Sequence, residues 1–194
     1  TCSSVASVPS TVTINNGTTT AACNNGPVCS GDAVQLSTTT VNSALYEWYS
    51  DAALTNLIST QQNPIINNIT TASTFFLVVT VNGCASAPAS TTVTLNPIPA
   101  RPSVPASFVI CEGETITLTT TTNAVSYNWS GPNGFTSNVQ NPAVINPATT
   151  ADAGIYTLSI VDANGCQSGD TSVTIGVNTA PAAPVLTNNS AICE

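Results

Sequence analysis

"DAGIYTLSIVDANGC" (152–166) is the stretch whose reading decides the fold. Its centre alternates, with Tyr156, Leu158 and Ile160 on one face and Thr157 and Ser159 on the other. Successive side chains of an extended backbone point to opposite sides, so a period of two marks a strand with one face buried. "DANG" (162–165) supplies turn residues, and "TSVTIGV" (171–177) returns with Val173, Ile175 and Val177 in phase. The pair reads as a hairpin. Toward the N-terminus, "ETITLTTT" (114–121) offers Ile116 and Leu118 to one face and Thr117 and Thr119 to the other. "SYNW" (126–129) places Trp129 on the next strand, and "GPNGF" (131–135) is a turn. Helix signals are nearly absent. Short alternating strands between Gly, Pro and Asn clusters predict an all-β sandwich.

The pattern occurs twice. Val34 and Leu36, Trp48, "TFFLVVT" (74–80), "VNG" (81–83), Val93 and Leu95 repeat it in the first half of the chain. The cysteines fix the register: Cys2, Cys84 and Cys166 stand 82 residues apart, and so do Cys29, Cys111 and Cys193. Two interleaved series with one interval mean tandem repeats. Cys23 alone falls outside both. "PVCSGDAVQL" (27–36) answers "VICEGETITL" (109–118), and "AICE" (191–194) opens the same motif once more. The expected organisation is a tail of a preceding repeat at 1–20, repeats at 21–98 and 99–179, and a linker with the start of a further repeat at 180–194. The chain then reads as a window of a longer array. Pro-rich joints, "NPIPARPSVP" (96–105) and "NTAPAAPV" (178–185), stiffen the connections, since proline cannot continue a ladder.

Composition narrows the function. Charged residues make up 5% of the chain, against roughly 25% in ordinary soluble domains. Nine acids against one base, Arg101, give a net charge of −8, which leaves no basic footprint for nucleic acid. No apolar run approaches the ~18 residues of a membrane span. Seven cysteines with no histidine argue for disulfides rather than zinc, hence an oxidising, extracellular setting. Domains of about 80 residues bury little core and often need such staples.

At "DAGIY" (152–156) the chain resembles the tyrosine corner of immunoglobulin-like domains, with Trp129 as the buried tryptophan of strand C. The first repeat shows "TASTFF" (71–76) there instead. "ICEGETITL" (110–118), "YNWSGPNGF" (127–135), "TTADAGIYTLSIVDANGC" (149–166) and "ASTTVTLNPIPA" (89–100) resemble the Ig-like and PKD-like repeats of giant cell-surface proteins of gliding and biofilm-forming Bacteroidota. Such proteins are usually exported by the type IX secretion system. The resemblance implies tandem immunoglobulin-like sandwiches in an extended array, an adhesin or fibre stalk at the cell surface. It implies no ligand.

In the strand order this resemblance implies, Cys111 precedes strand B, separated from it by "EGE" (112–114), and Cys166 follows the turn between strands F and G. Those strands run the same way, so some eight to ten residues of offset at about 3.3 Å each put the two roughly 25–30 Å apart. A disulfide tolerates a Cα separation of about 7 Å at most. An inter-repeat Cys29–Cys166 bridge is therefore favoured over Cys29–Cys84 and Cys111–Cys166. Cys111 and Cys84 would pair with cysteines of the following and preceding repeats, and Cys23 would pair with Cys84 or stay a free thiol. Cys2 and Cys193 belong to the same two series.

Chemistry is thinly represented. The absence of histidine and lysine removes histidine-based triads, the usual zinc sites, Schiff bases and Lys–Asn isopeptide crosslinks. Glu112 and Glu114 flank Gly113 as solvated turn acids. Asp162 and Asp170 are weak calcium candidates, since calcium wants six to eight oxygens and the spacing is not that of an EF-hand. No other cofactor is implied. Trp48, Trp129, Tyr46 and Phe76 are expected in cores, Tyr49 and Phe135 at the surface. The sequons at Asn16, Asn68, Asn128 and Asn188 are expected by chance in a chain rich in Asn and Thr. The single trypsin site, Arg101, precedes Pro102. The reading is a non-enzymatic stalk whose partners are neighbouring repeats, with surface glycans or other fibre copies as further candidates. A carbohydrate-binding array, read through Tyr49 and Phe135, and an accessory region of a secreted enzyme are the alternatives.

Overall fold

A computed structural model describes residues 10–13 and 19–185. Cys2, Cys193, Asn16 and Asn188 lie outside the described residues, as does most of 1–20 and of 180–194. The chain divides into two compact units, Thr1–Ile98 with Asn164–Cys166, and Pro99–Ala163 with Gln167–Glu194.

The first unit comprises β1 (Ser10–Thr13), β2 (Thr19–Asn24), β3 (Val28–Cys29), β4 (Val34–Ser37), β5 (Ala44–Tyr49), β6 (Leu57–Ser59), β7 (Ile65–Ile66), β8 (Ser73–Val81), β9 (Cys84–Ala85), β10 (Ala89–Val93) and β11 (Leu95–Asn96). One sheet runs β1-β2-β4-β7 and another β10-β8-β5-β6, with β9 on β8; β3 and β11 pair separately, in parallel. Alternation explains the sandwich. Val34 and Leu36 of β4, Trp48 of β5, and Leu77 and Val79 of β8 are buried in one core between the sheets. Burying such a side chain stabilises by roughly 1.5–3 kcal/mol. One expected ring is corrected: Phe75 is buried and Phe76 only half-buried. Adjacent residues of a strand cannot share a face, and Leu77, paired with Trp48, gives the core phase to Phe75.

In the second unit the strands are β12 (Phe108–Cys111), β13 (Ile116–Thr117), β14 (Ser126–Ser130), β15 (Thr136–Ser137), β16 (Ala143–Ile145), β17 (Gly154–Val161) and β18 (Thr171–Asn178). One sheet runs β12-β18-β17-β14-β15, and β13 pairs with β16. β12 lies parallel to β18, while β17 is antiparallel to both β14 and β18. Ile116 and Leu118 meet Trp129, Tyr156, Leu158, Ile160, Val173 and Ile175 in the core. Both units are immunoglobulin-like sandwiches, and the chain is all-β apart from two short 3-10 turns, Pro132–Gly134 and Thr150–Asp152, among the described residues.

Candidate functional site

Each core is closed by the same clasp. The indole Nε1–H of Trp48 donates to the Gln62 carbonyl, and that of Trp129 to the Gln140 carbonyl, both at 3.3 Å. The glutamines reach back: Gln62 Nε2 donates to the Thr38 carbonyl at 3.2 Å and Gln140 Nε2 to the Thr120 carbonyl at 3.3 Å. The next residue completes it, since Asn63 Oδ1 accepts from Thr38 N–H at 3.0 Å and Asn141 Oδ1 from Thr120 N–H at 2.7 Å. A buried tryptophan must satisfy its one donor, and the clasp does so while tying the segment after β4 or β13 to the loop after β6 or β15. The signal was in the sequence as "QNP", at 62–64 and 140–142. It escapes a search at the 82-residue interval because Trp to Gln spans 14 residues in the first repeat and 11 in the second.

The second repeat adds a tyrosine corner. Tyr156, fully buried at its ring, donates its hydroxyl to the Asp152 carbonyl at 2.8 Å. Asp152 is itself anchored, its carboxylate accepting from Thr149 N–H at 2.9 Å and the Thr149 hydroxyl at 2.8 Å. Those bonds hold its carboxyl below the ordinary carboxylate range, the backbone bond foremost, while burial raises the Tyr156 phenol. Gly131 makes room: a Cβ there would stand 2.4 Å from the Tyr156 ring. In the first repeat Phe75 holds the matching place, two residues before the leucine opposite the tryptophan, and has no hydroxyl to donate. A different tie stands nearby. The buried Asn24 amide donates to Thr91 Oγ1 at 2.7 Å and to the Thr92 carbonyl at 3.0 Å.

The cysteines occupy two kinds of place. Cys29 ends β3 against Asn96, and Cys111 ends β12 against Asn178. Each opens a turn closed onto its own carbonyl, by Asp32 N–H at 3.0 Å and Glu114 N–H at 3.1 Å. Cys111 N–H also donates to Glu114 Oε2 at 2.8 Å. Cys84 follows the Asn82–Gly83 turn, whose φ values of 49° and 79° suit the tight hairpin that Asn-Gly favours. Cys166 follows Gly165 in the longer turn between β17 and β18. Cys29 and Cys166 are joined by a disulfide with Cα atoms 5.6 Å apart, inside the allowed range. Cys84 and Cys111 are exposed thiols. Cys23 is buried on β2 and disulfide-bonded. That corrects both expectations for it, pairing with Cys84 and a free thiol. Its side chain is buried, whereas Cys84 is exposed.

A family profile described as "Ig-like domain, CHU_C associated" matches residues 17–97 and again 99–178. The chain belongs to that family. No curated protein matches it. Among solved structures it is similar to the N-terminal domains of the outer capsid protein Hoc of bacteriophage RB49, at 17% identity and a TM-score of 0.43, over 86% of this chain and 59% of that one. It is also similar to fibronectin(III)-like modules of CbhA from Clostridium thermocellum, at 18% identity and a TM-score of 0.38, over 86% of this chain and 98% of that one. The four N-terminal Ig domains of Dscam1 isoform 6.9 follow at 13% identity and 0.34, over 78% and 42%. The chain thus spans less than two thirds of the Hoc and Dscam1 chains.

The surfaces of these CHU_C-associated domains carry little that reacts. A shallow groove of about 640 Å³ crosses the outer face of β14, β15 and β17, lined by Asn128, Ser130, Thr136, Thr157, Ser159 and Asp170 among others. It offers hydroxyls, two amides and one carboxylate, with Trp129 buried beneath. Phe135 is corrected from a surface ring to a half-buried one, packed edge-on to Tyr156 with centroids 5.7 Å apart. The chain turn at Gly131 folds that ring back, its N–H donating to the Phe135 carbonyl. Tyr49 is half-exposed on β5, its phenol raised by burial and by the Glu47 carboxylate. Asp162 is half-buried and Asp170 exposed; no group of three or more His, Cys, Asp or Glu side chains is assembled for a metal among the described residues. Arg101 Nη1 donates to the Asp170 carbonyl. No helix among the described residues is long and apolar enough to cross a membrane.

Proposed function

We propose that this segment is a non-enzymatic, disulfide-stapled stalk of an extracellular protein at a bacterial cell surface, an adhesin or fibre, with neighbouring repeats as its partners. The supporting observation is the Cys29–Cys166 bond, which joins residues 137 apart in sequence and so ties the first repeat to the second. Tension applied to the two ends of such a chain passes through the sulfur bridge. The intervening segment, with the first Trp clasp, the second and the tyrosine corner inside it, carries no load. A tether built this way keeps β4 to β17 from extending under force, while β1, β2 and β18 lie outside the bridge.

The family, the near-absence of charge and the disulfides support the extracellular setting, and export by type IX secretion in a gliding or biofilm-forming bacterium belongs to the same reading. Cys111 and Cys84 are then the points at which further repeats are stapled, and 21–98 and 99–179 the repeat bodies. A sugar platform through Phe135 is disfavoured, because the ring packs on Tyr156. Single-molecule extension tests the proposal. With the bond intact, pulling on the termini should never release the 137-residue segment; reductant or Cys29→Ser should add up to about 450–490 Å of contour length. Equal extension with and without reductant would refute a load-bearing staple.

A further inference from the structure

The two exposed thiols differ in kind, and the difference says what each fits. Cys111 matches Cys29: both end a strand held in parallel against the last strand of their domain, and both open a turn closed on their own carbonyl. Cys84 matches Cys166: both follow a glycine of positive φ, Gly83 at 79° and Gly165 at 81°, in the turn after the long strand β8 or β17. One strand-end cysteine and one turn cysteine make the bond that exists. Among the described residues one of each remains. Cys166 in its bond is fully buried, whereas Cys84 in the equivalent turn is exposed.

Resting on the stapled-stalk reading, we propose that Cys111 and Cys84 are complementary half-sites of this same bond, each fitted to the opposite kind of turn on a second copy of the chain, so that separate molecules join head to tail through Cys111–Cys84 bridges. A small-molecule disulfide such as oxidised glutathione is the oxidant. The Cys84 thiolate attacks one glutathione sulfur, releasing one glutathione thiolate and leaving a mixed disulfide. The Cys111 thiolate of the second copy then attacks the Cys84 sulfur and displaces the other glutathione. Two protein thiols are oxidised and one glutathione disulfide is reduced. Like-with-like pairing brings together two strand ends or two hairpins and lacks the complementary turn.

The test uses the full chain with Cys84→Ser or Cys111→Ser, incubated separately and mixed in a glutathione redox buffer, with crosslinks identified by peptide mapping. Both replaced thiols are exposed, so the fold is retained. The mixture should give dimers carrying a Cys84–Cys111 peptide at least about tenfold above the like-with-like dimers of either variant alone, a preference of 1.4 kcal/mol or more. Comparable yields from single variants, or a mixture without that peptide, would overturn the proposal. The same digests report the Cys29–Cys166 peptide. Its presence without the Cys84–Cys111 peptide sinks only this inference, whereas its absence sinks the stalk reading.

Discussion

Tyr156 shows what one hydroxyl does. Its bond to the Asp152 carbonyl joins the start of β17 to the 3-10 turn before it, and a net contribution of about 0.5–1.5 kcal/mol is usual for such a bond. Tyr156→Phe should lower the stability of the second repeat by that amount, read as a fall in the urea midpoint with the slope unchanged. Asp152 sets an acid limit on the same turn. Its folded pKa is depressed, first by the Thr149 N–H, so its contribution is fully present above the unfolded carboxylate value, about 3.9. The contribution is lost as pH falls through the lower folded value. Melting temperatures from pH 5 to 2 should therefore fall less steeply for Asp152→Asn than for the parent chain; parallel curves would remove Asp152 from the account. The corner was legible as D-x-G-x-Y, because the side chains that make it lie within five residues. The clasp was not, because its partners come from loops of unequal length, and only the unremarked "QNP" marks them.

Strands show where periodicity suffices. In β13 the sequence Ile116–Thr117 puts the isoleucine at 0% exposure and leaves the threonine on the open side. Ile116→Ala should cost about 2–5 kcal/mol by cavity formation. Thr117→Ala should stay within about 0.5 kcal/mol, as surface changes do. Chemical denaturation of the two variants decides it, and similar losses would mean that the face assignment is wrong. Alternation alone put Phe76 of "TFF" in the core; pairing with β5 sets Leu77 against Trp48 and gives that place to Phe75. The strands β13 and β16 are shorter still, two and three residues, and β16 sits in the Pro-bounded "NPAVINP" (141–147), where no period can show.

Across the whole molecule, the cysteines carry the consequence. Their interval identified the repeats, yet the interval cannot say which sulfur meets which. That depends on where the turns fall in the strand order, which comes from the immunoglobulin-like topology. In the chain-entropy account, closing a loop of 137 residues removes about 5 kcal/mol of freedom from the fully unfolded chain. Cys29→Ser should accordingly uncouple the repeats and lower the temperature at which the chain melts under oxidising conditions, while leaving the reduced protein unchanged. The most direct measurement is non-reducing peptic digestion and mass spectrometry of the alkylated native chain. The account predicts a peptide pair joining Cys29 to Cys166, with Cys84 and Cys111 alkylated in monomers and joined to each other in head-to-tail dimers. Peptides joining Cys29 to Cys84 and Cys111 to Cys166 would contradict it, since each repeat would then be closed by its own disulfide.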